Sequence, residues 1–98
     1  MNALAQKPTH EWTFLSNHGH VLLCIARDPN VRVRDIALAV GITERAVHRI
    51  LGELEAAGVI VRTRLGRRTH YQIDEGFPLR HPIEAEHSVG ELMRLVGV

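Results

Sequence analysis

Hydrophobic side chains recur at helical spacing in the first third of the chain. One helix is predicted by five positions that share the i, i+4, i+7 spacing of a single buried face: Phe14, His18, Val21, Leu22 and Ile25. We expect it to end at residues 28–30, because Pro29 disfavours a helical conformation in the residue before it. The alternating residues 31–33 predict a minimal strand, and residues 1–11, which lack periodicity, predict a flexible N-terminal arm.

Two further helices are predicted over residues 35–40 and 43–57. Gly41 ends the first of them, and Gly58 supplies a C-terminal stop for the second. Thr43 can cap the second helix with its hydroxyl, and Glu44 suits the positive end of the helix dipole.

A β-hairpin is predicted by strict alternation on both sides of a turn at residues 66–68. The odd-numbered residues of 59–65 and 69–73 are expected on the buried face, which leaves Arg62 and Arg64 on the solvated face. An irregular link over 74–82 precedes a last predicted helix over 83–96. Its apolar stripe is Ala85, Val89, Leu92, Met93 and Val96. The predicted fold class is therefore mainly α with a small β-hairpin, α+β.

Length and composition restrict the class of protein. The chain has 98 residues, 45% of them hydrophobic, which is enough for one small domain. No apolar run approaches the roughly 18 residues of a membrane span, and the N-terminus lacks the pattern of a signal peptide. A single cysteine, Cys24, excludes an internal disulfide and a multi-cysteine zinc site. We expect a cytoplasmic protein with no membrane partner and no cofactor.

The net charge of +1 hides an uneven distribution. Residues 27–73 contain nine arginines and five acidic residues, whereas residues 74–98 contain two arginines and five acidic residues. Every basic side chain of the positive part is arginine, whose planar fork suits phosphates and guanine edges. Because a GC-rich genome also enriches arginine, the placement of these residues has to decide between the two explanations.

The stretch VRDIALAVGITERAV, residues 33–47, resembles the helix-turn-helix of bacterial repressors. Ala37 is small enough for close helix approach, and Gly41 tolerates the positive φ that the turn requires. Five apolar residues have the spacing that fills the angle between the helices: Ile36, Val40, Ile42, Val47 and Ile50. With the arginine-tipped hairpin after it, the chain resembles a winged helix-turn-helix transcriptional regulator of the MarR/ArsR type, especially the small stand-alone versions common in actinobacteria. The resemblance covers residues 13–97.

This resemblance implies a winged-helix DNA-binding domain over 12–82 with an additional C-terminal dimerisation helix over 83–98. It implies a sequence-specific regulator, a repressor, that binds a palindromic operator of double-stranded DNA as a homodimer. The recognition helix 43–57 would lie in the major groove, and the wing 59–73 would lie on the backbone or in the minor groove.

Candidate DNA-binding residues lie on the recognition helix and the wing. Arg45, His48 and Arg49 share a donor-rich face beside Gly52, opposite the apolar face, and arginine there can bind guanine O6 and N7 together. Thr43 and Glu44 suit a phosphate and cytosine N4. The full predicted set is Arg34, Thr43, Glu44, Arg45, His48, Arg49, Arg62, Arg64, Arg67, Arg68 and His70. An ordinary solvated surface is the alternative.

Apolar residues near the two ends of the chain predict the dimer interface. They are Trp12, Phe14, Leu15, Val89, Leu92, Met93 and Val96. Pairing across a two-fold axis would remove these side chains from water. The alternative is that the last helix packs on its own domain in a monomer.

Two other functions remain open. A winged helix can serve as a protein-interaction module without binding DNA. An ArsR-type sensor would respond to a small-molecule or metal effector, and weak metal candidates at i, i+3 and i+7 of the last predicted helix are Glu84, His87 and Glu91. The sequence shows no arrangement typical of a catalytic site, so we expect no enzyme activity, and Cys24 is expected to pack in the core.

Overall fold

The computed structural model describes residues 11–98, which form four helices and one two-stranded antiparallel sheet. In chain order these elements are α1 (Asn17–Arg27), α2 (Val33–Val40), α3 (Glu44–Ala57), β1 (Ile60–Leu65), β2 (Arg68–Ile73) and α4 (Val89–Val96). The mainly α, α+β class is confirmed. The predicted N-terminal arm, except for Glu11, lies outside the described residues.

Helix α1 begins later than its apolar spacing predicts. The Ser16 hydroxyl accepts a hydrogen bond from the Gly19 N–H at 3.4 Å, and this cap sets the first turn. Phe14 precedes the cap and is 92% exposed, so its assignment to the buried helical face was wrong. The helix ends at Arg27, two residues before Pro29, as predicted.

The predicted strand at residues 31–33 was wrong, because Val33 is already the first residue of α2. Three alternating residues carry too little periodicity to separate a strand from the start of a helix. The preceding loop instead meets the hairpin through one backbone hydrogen bond, in which the Tyr71 N–H donates to the Pro29 carbonyl at 2.9 Å.

The turn between α2 and α3 is built as the sequence predicts. Gly41 has φ +85°, a conformation that residues with a Cβ rarely adopt. The N–H groups of Gly41 and Ile42 both donate to the Ala37 carbonyl, at 2.8 and 3.1 Å. The Thr43 hydroxyl accepts from the Ala46 N–H at 3.0 Å and begins α3.

The two motif helices pack on α1 around a core of aliphatic side chains. Ile36, Val47 and Ile50 are fully buried between the helices, whereas Val40 and Ile42 are half-buried at the edge of this core. The predicted filling of the inter-helix angle is therefore confirmed. Burying these aliphatic groups supplies the main driving force for this packing.

In β1 the buried and exposed faces of the hairpin are exchanged relative to the prediction. Its turn contains two residues, Gly66 (φ +66°) and Arg67, so Leu65 pairs with Arg68. Odd-numbered residues of β1 therefore lie directly opposite even-numbered residues of β2. Directly opposite residues share one face of a sheet, and a shift of one residue exchanges the faces. Val61 and Leu65 are accordingly 55% and 58% exposed.

The last helix is shorter than predicted. It begins at Val89, where Ser88 and Glu91 form a reciprocal capping box. The Val89 N–H donates to the Phe77 carbonyl at 2.8 Å, and the Leu79 N–H donates to the His87 carbonyl at 2.9 Å. These bonds and the β-bridge between Pro78 and Ser88 pair the two ends of the segment, and residues 80–87 between them form turns instead of a helix. Ala85 lies in these turns and not on a helical stripe.

Helix α4 packs on its own chain. Val89 and Met93 are buried in the core, so their assignment to an exposed dimer surface was wrong. Leu92 is half-buried, and Leu95 and Val96 remain exposed at the end of the helix. No helix within residues 11–98 is long and apolar enough to cross a membrane.

Candidate nucleic-acid interface

The outer face of α3 presents the donors that the sequence predicts. Arg45, His48 and Arg49 are exposed, while Val47 and Ile50 on the opposite side are buried. Gly52 has no side chain and so adds no bulk to the outer face. The space beside its Cα is open, since a Cβ at this position would meet no atom within 4 Å. The predicted exposure of this face is confirmed, and it forms a strip of nitrogen donors along α3.

One side chain of this face is held by its own helix. The Arg49 guanidinium lies 3.4 Å from the Glu53 carboxylate, one turn further along α3. The same carboxylate accepts a hydrogen bond from His18 Nε2 on α1 at 2.7 Å. The His18 hydrogen bond, together with Arg49, holds the pKa of the Glu53 carboxyl below its usual value. Glu53 is therefore an ionised acceptor beside the donor strip.

The tip of the wing carries an exposed arginine. Arg67 occupies the second position of the two-residue turn and is exposed. Arg64 is also exposed, and its Nε donates to the Gly66 carbonyl at 3.4 Å. These two guanidinium groups are carried on the hairpin end that lies furthest from the core residue Ile60, where an anion can reach them.

Arg62 does not lie on the solvated face of the wing, contrary to the prediction. It pairs with Tyr71 across the sheet, and its Nη2 and Nε donate to one oxygen of Glu55, at 2.7 and 3.0 Å. The Arg62 hydrogen bond holds the pKa of the Glu55 carboxyl below its usual value. Burial raises the pKa of the neighbouring Tyr71 hydroxyl. Arg62 thus ties the wing to the end of α3.

Arg68 and His70 join the wing to the loop before α2. Arg68 Nη2 donates to the Asn30 carbonyl at 3.0 Å, and His70 Nδ1 lies 2.9 Å from the Asn30 side-chain oxygen. Because an amide oxygen accepts only, His70 must donate from Nδ1. Arg68 remains exposed and keeps further N–H donors for an external anion.

A basic cleft separates the wing from the motif helices. Five arginine and histidine side chains line it: Arg32, His48, Arg64, Arg67 and Arg68. His48 also belongs to the outer face of α3, so the helix and the wing meet in one surface. The sequence interpretation missed Arg32, because it placed this residue in a strand. Arg32 is the N-cap residue of α2, and its Nε lies 3.5 Å from the Asp35 carboxylate. Arg32 and Arg34 at the start of the first motif helix are a sequence signal that could have identified it.

The remaining predicted DNA-binding residues lie at the ends of the motif helices. Arg34 is exposed in the first turn of α2, and Thr43 and Glu44 are exposed at the start of α3. The Thr43 oxygen accepts the capping bond, which leaves its O–H free to donate outward.

The weak metal candidates do not form the predicted helical face. Glu84 and His87 lie in the turns before α4, and Glu91 is used in the capping box, with His87 Nδ1 at 3.5 Å from its carboxylate. Within residues 11–98, no three His, Cys, Asp or Glu side chains are grouped to hold a metal ion. Cys24 is half-buried against the core, and burial raises the pKa of its thiol.

An apolar cavity lies between α1 and the segment that leads into α4. Its volume is about 380 Å³, and its walls include Leu15, Leu22, Leu79 and Leu92. Phe14 stands at its edge, and the rings of Phe14 and Trp12 meet edge to face with centroids 5.0 Å apart. Apolar side chains near both ends of the chain therefore border one surface.

Comparison with known proteins identifies the helix-turn-helix. Residues 16–61 match the family model described as winged helix-turn-helix DNA-binding. This match runs from the cap of α1 to the start of β1. No curated protein sequence matches the chain.

Two solved regulators have similar structures. The AntR antimony-specific transcriptional repressor is 27% identical with a TM-score of 0.52, and the match covers 80% of this chain. MepR, a transcription regulator of the Staphylococcus aureus multidrug efflux pump MepA, is 21% identical with a TM-score of 0.53 over 83% of this chain. The matches cover 60% of the AntR chain and 56% of the MepR chain. The winged helix-turn-helix that the sequence resemblance implies is confirmed.

Proposed function

We propose that this chain, whose residues 16–61 match the winged helix-turn-helix DNA-binding family model, is a sequence-specific transcriptional regulator that acts as a repressor. It acts by binding DNA, not by catalysis. The main support for this proposal is that His48 belongs both to the outer face of α3 and to the arginine-lined cleft beside the wing, so the two form one donor surface. A major groove admits a helix such as α3, and phosphates beside the groove can occupy the cleft.

The donor surface divides into base-reading and phosphate-binding parts. Arg45, His48 and Arg49 face outward along α3 and contact base edges, with Glu44 at the helix start suited to cytosine N4. Phosphates are bound by side chains around the cleft and the helix ends: Arg32, Arg34, Thr43, Arg64, Arg67 and Arg68. Arg62 and His70 hold the wing in place through Glu55 and Asn30.

Selection from fragmented genomic DNA, followed by fluorescence anisotropy, tests this function. We expect the purified chain to enrich a small set of fragments and to bind them at 50 mM salt about a thousandfold or more tightly than random duplex. A reporter placed behind an enriched fragment should lose expression when the protein is present. If no duplex is bound at 50 mM salt, the protein-interaction alternative takes the place of this proposal.

We further propose that the regulator is a homodimer on a palindromic site. Exposed apolar side chains in the first and last parts of the described chain favour a second copy as the covering partner, because pairing would remove them from water: Trp12, Phe14, Ile83, Leu95 and Val96. Leu92 of α4 and Phe14 line the same cavity, so parts of these two regions lie close together. A palindromic site requires two copies of α3 about 34 Å apart, the spacing of successive major grooves, and a homodimer supplies two copies.

Light scattering with a charged substitution tests the dimer. The protein should have twice the 11.0 kDa mass of one chain, and Leu95→Asp should lower this mass because it places a charge in the apolar surface. Leu38→Asp is the matched control, since Leu38 is 76% exposed against 83% for Leu95 but lies on α2. A mass of 11.0 kDa for the unaltered protein at micromolar concentration, or the same mass change in both variants, would contradict this interface.

We also propose that a small-molecule effector controls DNA binding, and the apolar cavity between α1 and the segment that leads into α4 favours this. Its volume of about 380 Å³ lies in the range of small-ligand sites. An apolar ligand that fills the cavity should change the anisotropy of the DNA complex, and Leu92→Trp should block that change. An unchanged DNA affinity at saturating ligand would exclude the coupling.

A further inference from the structure

Three side chains connect α1 to the outer face of the recognition helix α3. Glu53 Oε1 accepts from His18 Nε2 at 2.7 Å and from Arg49 Nη1 at 3.4 Å, and Oε2 lies 3.5 Å from the same Arg49 nitrogen. His18 and Arg49 thus share one carboxylate, which lies between a helix of the core scaffold and a residue of the donor strip.

These contacts are on the surface, so we expect them to contribute little to the stability of the fold. The three side chains are each about half exposed, and exposed ion pairs contribute little to the free energy of folding. Their effect is on conformation. An arginine side chain loses rotamer freedom when it binds a base, and a guanidinium that is already held loses less.

We infer that Glu53 is a positioning residue for DNA recognition, which orients Arg49, and that His18 holds Glu53 in place for this role. The inference rests on the proposed function, because it assigns Arg49 to base contact. The His18 hydrogen bond fixes the Glu53 carboxylate from the α1 side, so Arg49 is drawn toward one end of α3. His18, Arg80 and Glu84 all line the cavity between α1 and the segment that leads into α4.

A second effect of Glu53 must be separated from positioning. Its negative charge repels the phosphates of every duplex, so its removal strengthens binding to all DNA by general electrostatics. That effect does not depend on Arg49. Positioning, in contrast, acts only when Arg49 is present and changes only the preference for the selected site.

A double-mutant cycle separates these two effects. Affinities of Glu53→Ala, Arg49→Ala and the double variant are measured by anisotropy for the selected site and for a random duplex of equal length. We expect Glu53→Ala to lower the ratio of specific to random affinity about three- to tenfold in the wild-type background, the usual size of coupling between contacting residues. In the Arg49→Ala background this ratio should not change.

Two further variants sharpen the result. His18→Ala should change the ratio in the same direction as Glu53→Ala, and Glu53→Gln, which keeps an acceptor oxygen, should restore part of the preference. Glu86→Ala is the control for loss of one surface acid, because Glu86 is exposed in the turns before α4. Circular dichroism melting confirms that each variant is folded.

The outcomes discriminate between this inference and the proposed function. An equal change of the ratio with and without Arg49, or no change in either background, overturns the positioning role while specific DNA binding stands. If the unaltered protein shows no specific site at all, the proposed function fails, and the role of Glu53 fails with it.

Discussion

Replacing Arg45 and Arg49 together with alanine is expected to remove most of the sequence preference of this protein. Both side chains are exposed on the outer face of α3, so their loss leaves the core unchanged. A bidentate contact between arginine and guanine is worth about 1–3 kcal/mol of discrimination. The double variant should therefore lose roughly 2 kcal/mol or more on the selected site, a factor of about 30 or greater.

Selection on randomised duplexes, performed with wild type and with the double variant, measures this loss. Arg94→Ala is a matched control, because Arg94 is an exposed arginine on α4, away from the motif helices. The control should return the wild-type consensus. A wild-type consensus from the Arg45/Arg49 variant would show that another face of the protein reads the bases.

Affinity for DNA is expected to fall steeply with salt concentration, because the cleft and wing bind phosphates. If four to eight basic groups of a dimer contact phosphates, the slope of log K against log[salt] is about −4 to −7. Affinity would then fall by a factor on the order of 10² to 10⁴ between 50 and 200 mM salt. Arg67→Ala should make this slope shallower by about one for each lost contact.

Arg62→Ala provides the internal comparison for the wing. The Arg62 guanidinium is hydrogen-bonded to Glu55 and half-buried, so it is not free for a phosphate. Arg62→Ala should lower the melting temperature and leave the slope of log K against log[salt] nearly unchanged. Arg67→Ala should leave the melting temperature nearly unchanged and make the slope shallower. Equal effects of the two substitutions on the slope would contradict the division of the wing into a supporting and a binding part.

Helix positions near strong local signals could be predicted from the sequence. Thr43 and Gly58 bound α3, and Gly41 ends α2, because caps and left-handed stops depend on one or two residues and their own backbone. The exposed face of α3 was predictable for a similar reason. Helical periodicity fixes which residues lie opposite the buried Val47 and Ile50.

Errors arose where a distant contact or a single residue of register decides the result. The alternation of residues 59–73 predicts a hairpin, but the two-residue turn at Gly66 and Arg67 reverses the faces of β1. The apolar spacing of residues 83–96 fits one long helix. Backbone pairing of residues 77–79 with 87–89 instead forms the turns and leaves the capping box at Ser88 to begin α4.

The sequence by itself determined the helix-turn-helix, the order of helix and wing, and the arginine strip on α3, since these follow from local periodicity, caps and charge. Only the tertiary structure decided which donors are free. Arg62 is engaged by Glu55, Arg68 and His70 are engaged by Asn30, and Arg49 is engaged by Glu53, whose carboxylate also accepts from His18. Most of these partners lie on different elements, up to 40 positions apart in the chain. Folding brings them together, and no spacing along the sequence encodes such a pairing.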